Sequence, residues 1–428
     1  MKSAPDILVV GSGPAGLAAA LELARDPRVS VTVIDRDDEP GGLPHYCDHP
    51  GFGWEYTGRP WQTGRAFAAL LLAAAFKRPN LTILTRTTLL ELADGPVARV
   101  LSPGSGLTEW RPKAVILALG VREAARAPRF IGGNRPPHAF PTTGVLQQWL
   151  KRGLPRPYPD GRKGGRAVIL GSEWVAYSAW LSAQRLGFSV TAFVEEQPHA
   201  QAPAFVGFGM ANVLRTPVFH GASIATVEGS PERLTGIGVT LPGGNTRFLP
   251  CDTVILTGGW QADAAVAEAS GLAVDPLTRG IVVDQFFRTG MRGVFACGNA
   301  LQPLRSSGQC ARMGRLAAAA VAGFLSGNRP APDADVDLCP GSGLRGVTPS
   351  RVVSRPPDAT PAANRLHLRA QTDMSHPVLR FYDGETVLAE RALSAVKASD
   401  NIFIPLTPLL PALPGRPRVT LRLEERHV

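Results

Sequence analysis

Apolar runs too short for helices punctuate the N-terminal part of the chain. Ile7–Val10 leads into Gly11-Ser12-Gly13-Pro14-Ala15-Gly16. An Ala/Leu-rich stretch with apolar residues at helical spacing follows, and Val31–Ile34 closes on Asp35. This order predicts a strand buried on both faces, a tight turn, a helix and a second buried strand. The pattern then recurs. Arg166–Leu170 predicts a strand, Gly171 a turn, 173–187 a helix, and Ser189–Val194 a strand ending at Glu195-Glu196. Each unit is followed by β-rich segments and an apolar strand closed by glycine, Val115–Gly120 in the first and Thr253–Gly258 in the second. Recurrence of a whole unit predicts a duplicated α/β architecture of two doubly wound domains.

Beyond the second unit come Thr289–Asn299 and an Ala-rich helix from about Arg312 to Leu325. Pro330 and Pro332, in a polar stretch, predict a linker. The tail from about Asp337 is punctuated by proline and has short alternating runs, such as Arg365–Arg369 and Arg418–Leu423. It predicts a small β-rich domain over 337–428, without a motif that assigns chemistry. The expected limits are 1–150 with 285–330 for a discontinuous first domain and 151–284 for the second.

The first turn carries a specific chemistry. Gly11 permits the tight turn, Gly13 lets backbone approach a pyrophosphate, and Gly16 lets helix pack on strand. The helix N-terminus adds amide donors and a positive dipole end. Asp35, closing the second strand, is placed to accept hydrogen bonds from a ribose diol. Strand, turn, helix, strand and acid together predict a dinucleotide site, which the glycines alone would not.

Composition excludes several classes. Of 428 residues, 44% are hydrophobic, and the 46 Gly and 39 Pro fall short of a low-complexity share. The longest apolar run, Ala66–Phe76, is too short for a membrane span. A soluble cytoplasmic protein is expected. The net charge of +10 comes from scattered arginines without a recognition-helix or zinc-finger pattern, so nucleic acid is not expected and an anionic cofactor or substrate is. The cysteines at 47, 251, 297, 310 and 339 form no CxxC pair. No metal site is expected, because His45, Cys47 and His49, on one face of an extended segment, find no fourth ligand nearby.

These residues resemble the FAD-dependent pyridine nucleotide-disulfide oxidoreductases, with two dinucleotide-binding domains, over roughly residues 5–327. Thioredoxin and glutathione reductases are the best-known members. The matching pieces are the first glycine turn, Asp35, Gly41-Gly42, Leu117–Gly120 and Gly293–Asn299. Within that family, Cys47-Asp48-His49-Pro50-Gly51-Phe52-Gly53 resembles a disulfide-free branch. That branch is similar to flavoprotein subunits of opine-, amine- and cyanide-forming dehydrogenases, and to proteins that accompany glycerol-3-phosphate dehydrogenases. The resemblance implies FAD bound by Gly11, Ser12, Gly13, Pro14, Ala15, Gly16, Asp35, Arg36, Gly41, Gly42, Gly120, Gly298 and Asn299.

Three departures shape the functional expectation. The family's ribityl-holding Asp is Asn299 here, whose amide oxygen is still an acceptor. No cysteine lies between 48 and 250, which excludes a disulfide relay. The second turn reads Gly171-Ser172-Glu173-Trp174-Val175-Ala176, with a carboxylate where a nicotinamide site wants glycine. NAD(P) binding by the second half is therefore left open; if it occurs, Glu195 or Glu196 suits the free ribose of NAD.

The expected protein is an FAD-dependent oxidoreductase that moves hydride between a small-molecule substrate and flavin without a redox disulfide. An NAD(P)H-dependent flavin reductase is one alternative. A non-catalytic flavoprotein subunit, working with a partner dehydrogenase or electron-acceptor subunit, is another. His49 is the candidate catalytic residue, as a proton donor or acceptor near flavin, set against an ordinary loop histidine. Trp54, Tyr56 and Trp61 line a cavity or pack under a loop, and Arg122-Glu123 reads as a structural ion pair.

Overall fold

A computed structural model describes residues 4–153, 164–202, 216–327, 334–354, 364–398 and 400–426. The linker expected around Pro330 and Pro332 lies outside the described residues. The chain divides into two compact units, Met1–Arg122 with Gln261–Val428, and Glu123–Trp260.

The first unit opens with β1 (Ile7–Val10), β2 (Val31–Ile34) and β3 (Leu81–Leu84). It continues through an antiparallel trio, β4 (Thr88–Ala93), β5 (Val97–Ser102) and β6 (Gly106–Trp110), then β7 (Ala114–Leu117) and the short β8 (Val121–Arg122). The second unit repeats this plan. It contains β9 (Arg166–Leu170), β10 (Ser189–Glu195), β11 (Val218–His220), a trio β12 (Ser223–Gly229), β13 (Leu234–Thr240) and β14 (Thr246–Pro250), and β15 (Thr253–Leu256). The chain returns to the first unit with β16 (Gln261–Ala262) and β17 (Val294–Ala296).

The first parallel sheet has the order β17-β7-β1-β2-β3, and the second β11-β10-β9-β15. In each, strand order reverses beside the first strand of the unit. A doubly wound sheet binds its ligand in the crevice outside the carboxyl ends at that switch point. The crevices follow β1 and β7 in one unit, β9 and β15 in the other. Ile7–Val10 and Ala114–Leu117 are wholly buried, in a core shared with helix residues such as Ala19 and Ala317 and with Leu89, Leu92, Ala98 and Val100 of β4 and β5.

The limits between units, 122/123 and 260/261, fall earlier than the expected 150/151 and 284/285. The chain leaves and re-enters the first unit along one ladder, β8 paired antiparallel with β16. The helix Thr143–Arg152 thereby belongs to the second unit. Periodicity marks an element but not the unit against which it packs. The Ala-rich helix also begins earlier, at Ser307. Ser306 and Gln309 form a capping box there, a polar start that the apolar pattern does not register.

The tail forms β18 (Val336–Pro340), β19 (Leu344–Thr348), β20 (Arg351–Val352), β21 (Arg365–Ala370), β22 (Pro377–Asp383), β23 (Thr386–Ala392), β24 (Ile402–Pro405) and β25 (Arg418–Glu425). A sheet β20-β18-β25-β22-β23 and a sheet β19-β21-β24 enclose their own apolar core, including Leu338, Leu366, Leu368, Phe381, Ile404 and Leu421.

Candidate functional site

At the first switch point the backbone is crowded on one side and open on the other. Gly11 has φ +105, and a Cβ there would lie 2.4 Å from the Ala118 carbonyl oxygen. A Cβ at Gly16 would lie 1.9 Å from the Gly11 oxygen, so helix and turn are in direct backbone contact. Nothing lies within 4 Å of a Cβ built on Gly13 or on Gly120. The helix Pro14–Leu23 starts with Pro14 at its first turn, has no side-chain cap and no acid in that turn. Its first amides are therefore left for an anion.

The loop and the second helix close in from behind. A Cβ at Gly42 would be 2.8 Å from the Gly13 Cα, and one at Gly298 2.8 Å from the Ala15 Cβ. The helix Ser307–Leu325 crosses at Gly314, where a Cβ would be 2.0 Å from the Ala15 oxygen. An open Gly13 beside bare helix amides, with the crowding confined to the rear, fits the diphosphate of FAD.

A serine–acid clamp fastens this turn. Ser12 donates to Asp35 Oδ2 from its hydroxyl (2.5 Å) and its backbone N–H (2.7 Å), and Asp37 N–H donates to Oδ1 (2.9 Å). Gly41 N–H donates to Ser12 Oγ at 3.0 Å. Three of the roughly four acceptor positions of Asp35 are thus taken within the protein, leaving room for one ribose contact. Gly41-Gly42 accordingly runs against the glycine turn itself. Arg36 pairs with Asp263 at 2.9 Å, and Asp263 N–H donates to the Gly120 oxygen at 3.0 Å.

The other expected residues are placed as follows. Asn299 is bidentate on Arg305. Its Oδ1 accepts from Arg305 N–H (2.9 Å) and its Nδ2 donates to Arg305 O (3.1 Å), so it staples the 299–305 loop. His45, Cys47 and His49 do not share one extended face, because Leu43–Tyr46 is a 3₁₀ turn. His45 engages Glu39, Cys47 Sγ points to Leu43 O (3.4 Å), and His49 Nδ1 donates to Pro50 O (3.1 Å). Trp54 and Trp61 are exposed, while Tyr56 packs on Phe67. Gly53 N–H donates to Ser307 Oγ (2.9 Å) and Ser306 Oγ to Glu55 (2.5 Å), docking the Phe52-Gly53 segment on the start of the Ser307–Leu325 helix. Glu123 is not used as an ion-pair partner of Arg122. Its Oε2 accepts from Gly144 N–H (2.8 Å) at the start of the Thr143–Arg152 helix, and burial raises its pKa.

The second unit repeats the clamp position by position. Ser172 Oγ donates to Glu195 Oε2 (2.5 Å), Gln197 N–H to Glu195 Oε1 (2.8 Å), and Gln201 N–H to Ser172 Oγ (3.0 Å). The separations of 23 and 29 residues are those of Ser12–Asp35 and Ser12–Gly41. Glu195, and not Glu196, is therefore the counterpart of Asp35.

The two turns differ where the ligand would lie. Gly13 and Glu173 share one backbone conformation, φ −69 with ψ −179 and φ −75 with ψ 176. Glu173 caps no amide; its side chain folds back over the turn. Its Oε2 is 2.7 Å from where a Gly171 Cβ would sit, and its Oε1 is 3.0 Å from that of Gly258. Oε1 is enclosed and makes no hydrogen bond. Burial raises the carboxyl's pKa, opposed in part by Thr257 and Arg129. Arg129 is itself fixed by Thr257 O (2.6 Å) and Gly258 O (2.8 Å). The sequence pattern had shown neither this Arg129 brace nor the Ser172–Glu195 clamp, since both join residues far apart in the chain.

Two switch points and one open glycine turn define the class of two-domain flavoproteins. The chain belongs to the pyridine nucleotide-disulphide oxidoreductase family, whose model matches residues 5–323. It is an FAD-dependent oxidoreductase. A ferredoxin–NADP reductase of Salinispora tropica is 31% identical over 302 residues, covering 69% of this chain and 85% of the relative. The sarcosine oxidase subunit alpha of Rhizobium meliloti is 27% identical over 271 residues, covering 60% of this chain and 24% of the relative. The fold is shared with thioredoxin reductase of T. acidophilum, with a TM-score of 0.61 at 19% identity, over 75% of this chain and 98% of the other. No helix among the described residues is long and apolar enough to cross a membrane.

Proposed function

We propose that this flavoprotein oxidises a small reduced substrate and passes the electrons to an acceptor other than a bound disulfide or a nicotinamide. One observation carries the reading: the Glu173 carboxylate lies over the second glycine turn, where a dinucleotide pyrophosphate would run. The missing cysteines between 48 and 250 close the disulfide route. A partner subunit, a quinone or dioxygen then serves as the outlet.

Bound FAD supplies the hydride-accepting chemistry. The open face of Gly13 and the uncapped amides from Ala15 onward would hold the diphosphate, and the remaining lone pair of Asp35 would take one ribose hydroxyl. Gly298 and the stapled 299–305 loop carry the start of the Ser307–Leu325 helix toward the same crevice. We assign His49, whose Nδ1 lies 3.1 Å from Pro50 O, to receive the substrate proton.

The likeness to ferredoxin–NADP reductases favours a second reading, reduction of the flavin by NAD(P)H after Glu173 swings out. The likeness to a sarcosine oxidase subunit favours work within a larger assembly. Anaerobic mixing of the purified protein with NADH, NADPH and a panel of amines, amino-acid derivatives and hydroxy acids decides among them. Loss of oxidised-flavin absorbance with a panel member, and slow loss with either nicotinamide, is the expected result. Fast bleaching by NADPH alone overturns it.

A further inference from the structure

The strand β21 separates two environments. Leu366, Leu368 and Ala370 enter the apolar core of the tail, while His367 and Arg369 point to the opposite face and are equally buried, at 1% and 8% exposure. Cross-strand pairing places Thr348 and Phe403 beside His367, and Gly346 beside Arg369, on that same face. It looks onto the 299–305 loop. Thr348 Oγ1 donates to Gln302 Oε1 (2.8 Å), and Asn401 Nδ2 donates to Leu304 O (3.2 Å). The loop aims Arg305 into this space from Leu304, a non-glycine residue held at φ +75. Such a conformation persists only where the surroundings impose it. The Arg305 guanidinium lies 5.9 Å from the Phe403 ring, on which His367 stacks at 4.9 Å.

Arg369 Nη2 donates to Ala398 O (3.1 Å) and His367 Nε2 meets Asn401 Oδ1 (2.8 Å), but other polar atoms here lack partners. Arg305 Nε, Arg369 Nη1, Gln302 Nε2 and His367 Nδ1 are enclosed without a hydrogen bond. No ion pair among the described residues includes Arg305 or Arg369, and Asp400 acts on Arg369 only from a distance. Burial lowers both guanidinium pKa values to about 10, and with the neighbouring arginines it lowers that of His367 well below the usual imidazole range. A buried cation without a counter-charge is unfavourable unless something supplies one. A planar fork of donors matches a carboxylate, which can be held bidentately.

We propose that this face of the β19-β21-β24 sheet, closed by the 299–305 loop, binds a small carboxylate, with Arg305 and Arg369 as its counter-charges and Phe403 as its floor. The carboxylate belongs to the oxidised substrate, an identification that rests on the dehydrogenase reading above. The binding site itself does not depend on that reading.

The test uses the FAD-loaded protein, with thermal unfolding and isothermal titration at fixed ionic strength. Acetate is compared with acetamide and inorganic phosphate. Acetate is expected to raise the unfolding midpoint and acetamide not to. Arg305→Gln and Arg369→Gln should each weaken acetate binding roughly ten- to a hundredfold, as for loss of a charged hydrogen bond. Arg369→Met should raise the midpoint in acetate-free buffer, because it removes an uncompensated charge, and should abolish the acetate shift. Acetate binding unchanged in both glutamine variants overturns the site. Phosphate binding without acetate binding overturns its carboxylate character. If a variant does not fold, the wild-type comparison still decides: an equal response to acetate and acetamide overturns the proposal. Acetate binding with no substrate able to reduce the flavin would defeat the dehydrogenase reading and leave the site standing. Reduction by substrates without a carboxylate, unaffected by acetate, would leave the dehydrogenase reading standing and overturn the assignment of this carboxylate to the substrate.

Discussion

Replacing Glu173 with glycine should open the second dinucleotide site. Its backbone already has the conformation of Gly13, φ −75 with ψ 176, so glycine requires no rearrangement of the turn. It loses no cap either, because the Glu173 side chain caps no helix amide. What disappears is a carboxylate whose Oε2 lies 2.7 Å from the Cβ position of Gly171, on the path of a pyrophosphate. Two like charges at ~4 Å repel by about 1 kcal/mol in water and about 4 kcal/mol at a surface-like dielectric. That range corresponds to roughly five- to a thousandfold in affinity. Glu173→Gln keeps the volume and removes the charge, so the two variants separate repulsion from obstruction. Wild-type protein should bind NADH weakly and bleach slowly in anaerobic stopped flow; the glutamine variant should recover part of the binding and the glycine variant most of it. NADH should gain more than NADPH, since Glu195, clamped by Ser172 as Asp35 is by Ser12, would meet a bound ribose and repel a 2′-phosphate. Tight NADH binding by the wild type would refute the reasoning, as would three proteins of equal affinity.

The same carboxyl should govern part of the pH dependence of stability. Its folded pKa is raised by burial, so it destabilises the fold once pH exceeds its unfolded value; Glu173→Gln should unfold at a higher temperature than wild type at neutral pH, the difference vanishing near pH 4 or below. Leaving Oε1 without a partner sets the scale at about 1–3 kcal/mol. Gly13→Ala and Gly16→Ala should part company: Gly13 has open space and should lose FAD affinity with unchanged apoprotein melting, whereas Gly16 meets the Gly11 oxygen and should lose melting temperature first. Cysteine replacements, one at a time, should leave turnover intact, and native Cys251, Cys297 and Cys310 should react sluggishly with a thiol reagent. Burial raises all three thiols, Cys251 and Cys310 to about 12. A folded, FAD-bound cysteine variant without turnover would contradict this.

The units of the fold were legible because β1, β7, β9 and β15 are short continuous apolar runs and the first turn states its glycines in order. Glu173 was legible for the same reason, as an exception inside a repeat. What periodicity could not give is pairing over distance. Asn299 reads as a free acceptor until the fold brings Arg305 against both ends of its amide. Glu123 reads as the neighbour of Arg122 until the helix at Thr143 presents its amides. His45, Cys47 and His49 read as one face until the 3₁₀ turn Leu43–Tyr46 breaks the extended segment. The Arg305–Arg369 face is not legible in the sequence because the alternation in β21 suits one buried face, whereas His367 and Arg369 on the other are buried as well.

The clamp explains how one half could lose its open turn and keep its fold. Ser172 and Glu195 tie the turn to the end of β10, and Gln201 ties in the following loop, by the bonds that Ser12, Asp35 and Gly41 make in the other half. None of these bonds involves the side chain at position 13 or 173. That position touches ligand space and not the packing of sheet or helix, so a carboxylate can occupy it without disturbing the clamp. The cost is confined to the carboxylate itself, which must lie over Gly171 and Gly258 with one oxygen unpartnered. A substitution of this kind at Gly16 would fail, because a Cβ there meets backbone at 1.9 Å. The clamp therefore keeps the second turn folded, and Glu173 is the residue whose replacement is expected to show whether that turn can also hold a nucleotide.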